Sequence, residues 1–128
     1  MDAKKLIPHV LVVDDERLIR WSVAETLSGR GMRVNQAWDG ASTLKVLANE
    51  PPFDVIVLDL RMPDVSDLSL LEKIREVSPA TAVVLMTAFG TPEVRAHALG
   101  LGARELITKP FEMNAMAAAV EAAALPAA

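Results

Sequence analysis

The sequence predicts an α/β domain in which a five-stranded parallel sheet is covered by five helices on its two faces. Two observations carry that expectation. Short β-branched runs alternate with longer amphipathic ones along the chain, and three of the runs are nearly all apolar, as strands covered on both faces are. Each parallel connection also needs a right-handed crossover, which the intervening helical stretches supply.

The first strand is "HVLVVDD" (His9 to Asp15), followed by a helix over Glu16 to Ser28. Ile19, Val23 and Leu27 recur every four residues, with Thr26 beside them, so one stripe of that helix faces the sheet. Trp21 falls opposite the stripe and is expected to be exposed. Gly29 and Gly31 end the helix, because glycine accepts a left-handed turn. "MRVNQA" (Met32 to Ala37) is the second strand. Trp38 is expected to pack locally, just ahead of a helix over Ala41 to Asn49 that Asp39 can cap. "EPP" (Glu50 to Pro52) stops it before the third strand, "FDVIVLDL" (Phe53 to Leu60). Met62 and Pro63 make the exit turn, and a helix spans Leu68 to Val77. "TAVVLMTA" (Thr81 to Ala88) is the fourth strand. A helix over Pro92 to Leu99 follows, with Thr91 as its cap and Pro92 in its first turn. "RELIT" (Arg104 to Thr108) and a helix over Met113 to Ala124 complete the set. The domain is expected over 1–124, with 125–128 a C-terminal tail or truncated linker.

Composition narrows the function. The 128 residues suit a single domain, and 52% hydrophobic content is enough for a real core. Net charge is −4, and the 13 Lys and Arg are scattered, which argues against direct nucleic acid binding by this domain. There is no cysteine, so disulfides, thiolate metal sites and cysteine nucleophiles are excluded. The opening "MDAKKLIPHV" has no apolar core of a signal peptide, and no run approaches membrane-spanning length. A cytoplasmic protein without membrane contact is the expectation.

Ligands of open parallel sheets bind beyond the carboxyl ends of the strands. There the first strand ends in Asp14 and Asp15, the third in Asp59, the fourth in Thr87 and the fifth in Lys109. Taken singly, the aspartates read as a helix cap, Thr87 as a strand residue and Lys109 as a solvated end. Together they ask for more. Two like charges ~4 Å apart repel by about 4 kcal/mol at an effective dielectric of ~20, and one lysine offsets too little of that. A hard divalent cation such as Mg²⁺ takes oxygen ligands and keeps several waters. A metal and a lysine around one carboxylate suit a phosphoryl group arriving on it, and carboxylates do form aspartyl phosphates.

The segments "VLVVDDE", "DVIVLDLRMP", "VVLMTAFGT" and "GARELITKPF", in this order and spacing, resemble the receiver domains of bacterial two-component response regulators. That resemblance implies a flavodoxin-like doubly wound sheet, as in the chemotaxis regulator, with strand order 2-1-3-4-5. It implies that Asp59 accepts a phosphoryl group from a histidine kinase, a phosphotransfer protein or acetyl phosphate. It implies Mg²⁺ (or Mn²⁺) held by Asp14, Asp15, Asp59 and the backbone carbonyl of Arg61. Thr87 matches the switch hydroxyl, Lys109 the phosphate-contacting lysine, and the peptide between Lys109 and Pro110 is expected to be cis. Leu18, Trp21 and Ser22 fall where the family docks its kinase. The fourth helix, fifth strand and fifth helix would form the output face, toward an output domain, a downstream protein or a second copy of the chain. "MTAFGTPE" looks most like receivers joined to sigma-54-type transcriptional activators. Such a domain signals and assists only its own phosphoryl transfer; it is not otherwise an enzyme.

Departures from the pattern are informative. Leu106 stands where the family usually has an aromatic switch residue, and Asp67 where it often has glycine. Arg61 and Phe89 are expected to flank the entrance without helping an attacking water, which implies slow hydrolysis. Leu106 and Asp67 keep open a receiver-like interaction module that works without phosphorylation. A flavodoxin is disfavoured by acidic "DDERLIR" after the first strand, and an aspartyl phosphatase by Arg61 two residues after Asp59.

Overall fold

A computed structural model describes residues 7–50, 52–60, 68–88 and 90–125. Five strands alternate with five helices: β1 (His9–Val13), α1 (Arg17–Gly29), β2 (Arg33–Ala37), α2 (Gly40–Asn49), β3 (Val55–Asp59), α3 (Ser69–Val77), β4 (Ala82–Thr87), α4 (Pro92–Gly100), β5 (Glu105–Thr108) and α5 (Met113–Ala124). The strands form one sheet in the order β2-β1-β3-β4-β5, and every pairing is parallel. Fold class and strand order are those expected.

Side-chain alternation splits the core in two. Leu11, Val13, Ile56, Leu58, Val83 and Leu85 point to one face, against Leu70, Leu71 and Ile74 of α3 and Ala98 of α4. Val10, Val12, Val55, Val57, Val84 and Met86 point to the other, against Val23 and Leu27 of α1 and Met116, Ala117 and Val120 of α5. β1, β3 and β4 are buried at every position, which explains their continuous apolar reading. Each such side chain contributes about 1.5–3 kcal/mol of burial before entropy is counted. β2 lies at the edge, so exposed and half-buried residues mix along it.

The ends of elements differ from expectation in small, physical ways. β1 stops at Val13 because its partners stop at Ala37 and Leu58. Gly29 is still helical; the left-handed turn falls on Gly31 alone, at φ 89°. Asp39 caps α2 through a capping box with Ser42, and Thr91 caps α4 by accepting the Val94 N–H. Trp38 does not settle into its own loop. It is exposed, with the Arg20 guanidinium carbon 6.0 Å from its ring centre.

Candidate functional site

The strand order reverses direction between β1 and β3, and a crevice opens there beyond their carboxyl ends. Asp14 follows β1 directly and Asp59 closes β3, so neighbouring strands deliver two carboxylates to one place. Asp15 is exposed at the rim, whereas Asp14 and Asp59 are buried. Oxygen atoms of the three lie within 4.8 Å of one another.

Lys109 enters from β5. Its Nζ is 3.3 Å from Asp59 Oδ1 and 3.6 Å from Asp14 Oδ2. Its backbone N–H donates to the Thr87 carbonyl at 2.7 Å, which ties it to the end of β4. The Lys109–Pro110 peptide bond is cis. Thr87 itself is buried at the same edge.

Asp14 is the most constrained member. Its N–H donates to the Ala37 carbonyl, and its Oδ1 accepts the Glu16 N–H at 2.8 Å. Its Oδ2 is buried and accepts no hydrogen bond among the described residues. Burial pushes the Asp14 carboxyl up from 3.8 to about 6; the Glu16 N–H opposes this, the Asp59 charge adds to it, Lys109 opposes it and a hydrogen bond with Asp59 adds again. A buried carboxylate oxygen lacking a donor, beside two more carboxylates, is a donor set that fits a hard divalent cation.

Of the sequence candidates, the fold brings together Asp14, Asp15, Asp59, Thr87 and Lys109 at one edge. Leu106 is buried in the core against α3 and α4 and does not reach this crevice. Leu18 and Trp21 are exposed on α1 and Ser22 is half-buried; a shallow groove of about 380 Å³ runs between Leu18, Trp21 and Gln36. Arg61, Met62, Pro63, Asp67 and Phe89 lie outside the described residues. Arg20 was not a sequence candidate, yet its Nη1 donates to the Asp14 carbonyl at 2.9 Å. Nothing in the string marks it, since an arginine one turn into an amphipathic helix ordinarily reads as surface.

The profile of the response regulator receiver domain matches residues 10–121 of the chain. The chain belongs to that family. The DNA-binding transcriptional regulator NtrC of Escherichia coli K12 is 37% identical over 114 residues, covering 89% of this receiver domain and 24% of NtrC. The chain thus spans about a quarter of that relative's length. The BeF3-activated DrrB receiver domain of Thermotoga maritima superposes with a TM-score of 0.82 at 31% identity, covering 92% of this chain and 97% of that one. A response regulator of Burkholderia pseudomallei, described with a phosphorylated aspartic acid and a calcium ion, gives a TM-score of 0.82 at 27% identity over 91% of this chain and 68% of that one. The receiver domain is a signalling module of two-component response regulators, and relatives such as NtrC and DltR are named as transcriptional regulators. No described helix is long and apolar enough to cross a membrane.

Proposed function

We propose that this receiver domain accepts a phosphoryl group on Asp59 in the presence of Mg²⁺ (or Mn²⁺). The observation that carries the reading is the buried, undonated Asp14 Oδ2 facing Asp59 and Lys109. Asp14, Asp15 and Asp59, with the backbone carbonyl of Arg61, would hold the ion. When bound, it supplies positive charge to the oxygens of the transferring phosphoryl group. Asp59 supplies the nucleophile: a carboxylate oxygen bonds to phosphorus while the bond to the donor's nitrogen or oxygen breaks and its electron pair leaves with the donor. Lys109, already within 3.3 Å of Asp59 Oδ1, offers a fixed charge to the product. Thr87, whose backbone carbonyl accepts the Lys109 N–H, would move with the phosphate. The donor is a histidine kinase, a phosphotransfer protein or acetyl phosphate. Leu18, Trp21 and Ser22 would contact the protein donor.

The modification would bias a two-state equilibrium felt across α4, β5 and α5. That face would act on an output domain, a downstream protein or a second copy of the chain. The likeness to NtrC supports an output of the sigma-54-type activator class, with DNA contacted by another domain. Leu106, buried where the family places an aromatic, favours a second reading: an interaction module that never takes up phosphate. One experiment separates them. Wild type and Asp59→Asn are incubated with acetyl phosphate and Mg²⁺, and intact mass is read. The expected result is one phosphoryl adduct on wild type and none on the variant; adducts on both, or on neither, overturn the proposal.

A further inference from the structure

Arg20 makes a bracket that the phosphoryl chemistry does not itself require. Its Nη1 donates to the Asp14 carbonyl at 2.9 Å, its Nε donates to Gln36 Oε1 at 3.0 Å, and its guanidinium carbon lies 6.0 Å from the Trp38 ring centre. Its backbone N–H is in turn bonded to the Glu16 carbonyl, so the side chain springs from the first turn of α1. One guanidinium therefore joins α1, the edge strand β2 and the peptide that links Asp14 to Asp15.

That peptide sits just past the sheet. The β1–β2 ladder runs to Val13 opposite Ala37, and the Asp14 N–H still donates to Ala37. The Asp14 carbonyl lies past the last paired residue of the ladder, and Arg20 donates to it. The plane of this peptide sets where the Asp15 Cα goes, and so where an exposed carboxylate stands relative to two buried ones. Asp15 has to converge with Asp14 and Asp59 to within the 4.8 Å the oxygens span. Holding ligands in place before the ion arrives lowers the ordering cost of binding, and partners that orient metal ligands are worth about 10–100-fold in affinity.

We infer that Arg20 is a positioning residue for divalent-cation binding: it fixes the Asp14–Asp15 peptide and thereby the geometry of the acidic cluster. The inference rests on the metal reading above and is limited to this chain's own residues. A guanidinium is suited to the task because its planar fork reaches a carbonyl and an amide oxygen at once, which an ammonium does not.

The test uses Arg20→Met, which keeps an apolar stem and removes the donors, and Arg20→Lys, which keeps the charge. Mg²⁺ binding is measured by calorimetry, and amide hydrogen exchange is followed at Asp15 and Glu16 in metal-free protein. Expected for Arg20→Met are a roughly 10-fold weaker affinity and faster exchange at those two amides, with Arg20→Lys restoring only part of either. A phosphorylation rate recovered at saturating Mg²⁺ would agree, because positioning acts on occupancy. Loss of thermal stability with Mg²⁺ affinity unchanged would reduce Arg20 to a packing role and overturn the inference. If Arg20→Met does not fold, Arg20→Lys decides: wild-type affinity overturns the inference and weaker affinity supports it. Absence of Mg²⁺ binding by wild type, or undiminished binding by Asp14→Asn, would instead overturn the metal reading on which this one stands.

Discussion

The Lys109 ammonium stands 3.3 Å from Asp59 Oδ1, closer than it stands to Asp14 Oδ2 at 3.6 Å. One partly exposed cation thus serves two buried carboxylates. In the metal-free protein it neutralises that pair and competes with a metal for it, and in the proposed function it offers a fixed charge to the phosphoryl product. Replacing it by methionine should separate these roles. Lys109→Met is expected to lower metal-free stability at pH 7 by roughly 3 kcal/mol, since a buried acidic pair loses its cation. The same variant should bind Mg²⁺ more tightly than wild type. Urea denaturation and calorimetry check the two halves; weaker Mg²⁺ binding would show that Lys109 helps to shape the metal site.

Asp14 gives the domain an unusual pH dependence. Its carboxyl titrates near 6 in the folded chain against an unfolded value near 3.8. Between those values the folded state holds the extra proton, so raising pH through the window reduces stability. The loss is complete once pH exceeds about 6, opposite in sign to ordinary acid denaturation. Mg²⁺ requires the ionised carboxylate, so its affinity should fall as pH drops below about 6. Denaturation at a series of pH values, with and without Mg²⁺, reads both. Asp14→Asn should flatten this part of the metal-free profile; an unchanged profile would assign it to another group.

Much of the fold was legible because each buried strand reads as an unbroken apolar run and the helices carry caps where the string shows them. "VIVLD" needs burial on both faces, and Asp39 announces a helix start. The convergence of Asp14, Asp59 and Lys109 was legible too, since a parallel sheet collects its strand ends on one edge. What could not be read were contacts made by side-chain reach. Arg20 and Trp38 are 18 residues apart, and only the β2 edge brings them together. Leu106 was ambiguous for a different reason: leucine is compatible with either face of an edge strand. Its burial follows from the register, which sets Leu106 opposite Leu85 on the α3/α4 side.

Trp21 and Leu18 offer large apolar area on α1 beside the crevice, 54% and 67% exposed. If they meet the protein donor, Trp21→Ala should slow phosphoryl transfer from the cognate kinase about 10-fold, as loss of a central aromatic anchor does. Labelling by acetyl phosphate, a donor too small to touch α1, should be unchanged. Parallel time courses with the two donors check this. Equal rates for variant and wild type with the kinase would remove Trp21 from the interface.

Gly90 and Thr108 bring the β4–α4 connection onto the end of β5. A Cβ at Gly90 would collide with Thr108 Oγ1, while standing 3.6 Å from Thr108 Cβ and 3.7 Å from Leu106 Cδ2, both ordinary contacts. The obstacle is therefore a single hydroxyl oxygen. Gly90→Ala should cost about 1–3 kcal/mol, as overpacking does, because the chain must shift beside Thr87 and Lys109. Thr108→Ala, at an exposed position, should change stability by no more than about 0.5 kcal/mol. In the double variant the oxygen is gone and the methyl fits, so most of the Gly90→Ala cost should be recovered. A double-mutant cycle in urea measures the coupling directly. Additive costs would mean that Gly90 is needed for its backbone conformation and not for the room it leaves to Thr108.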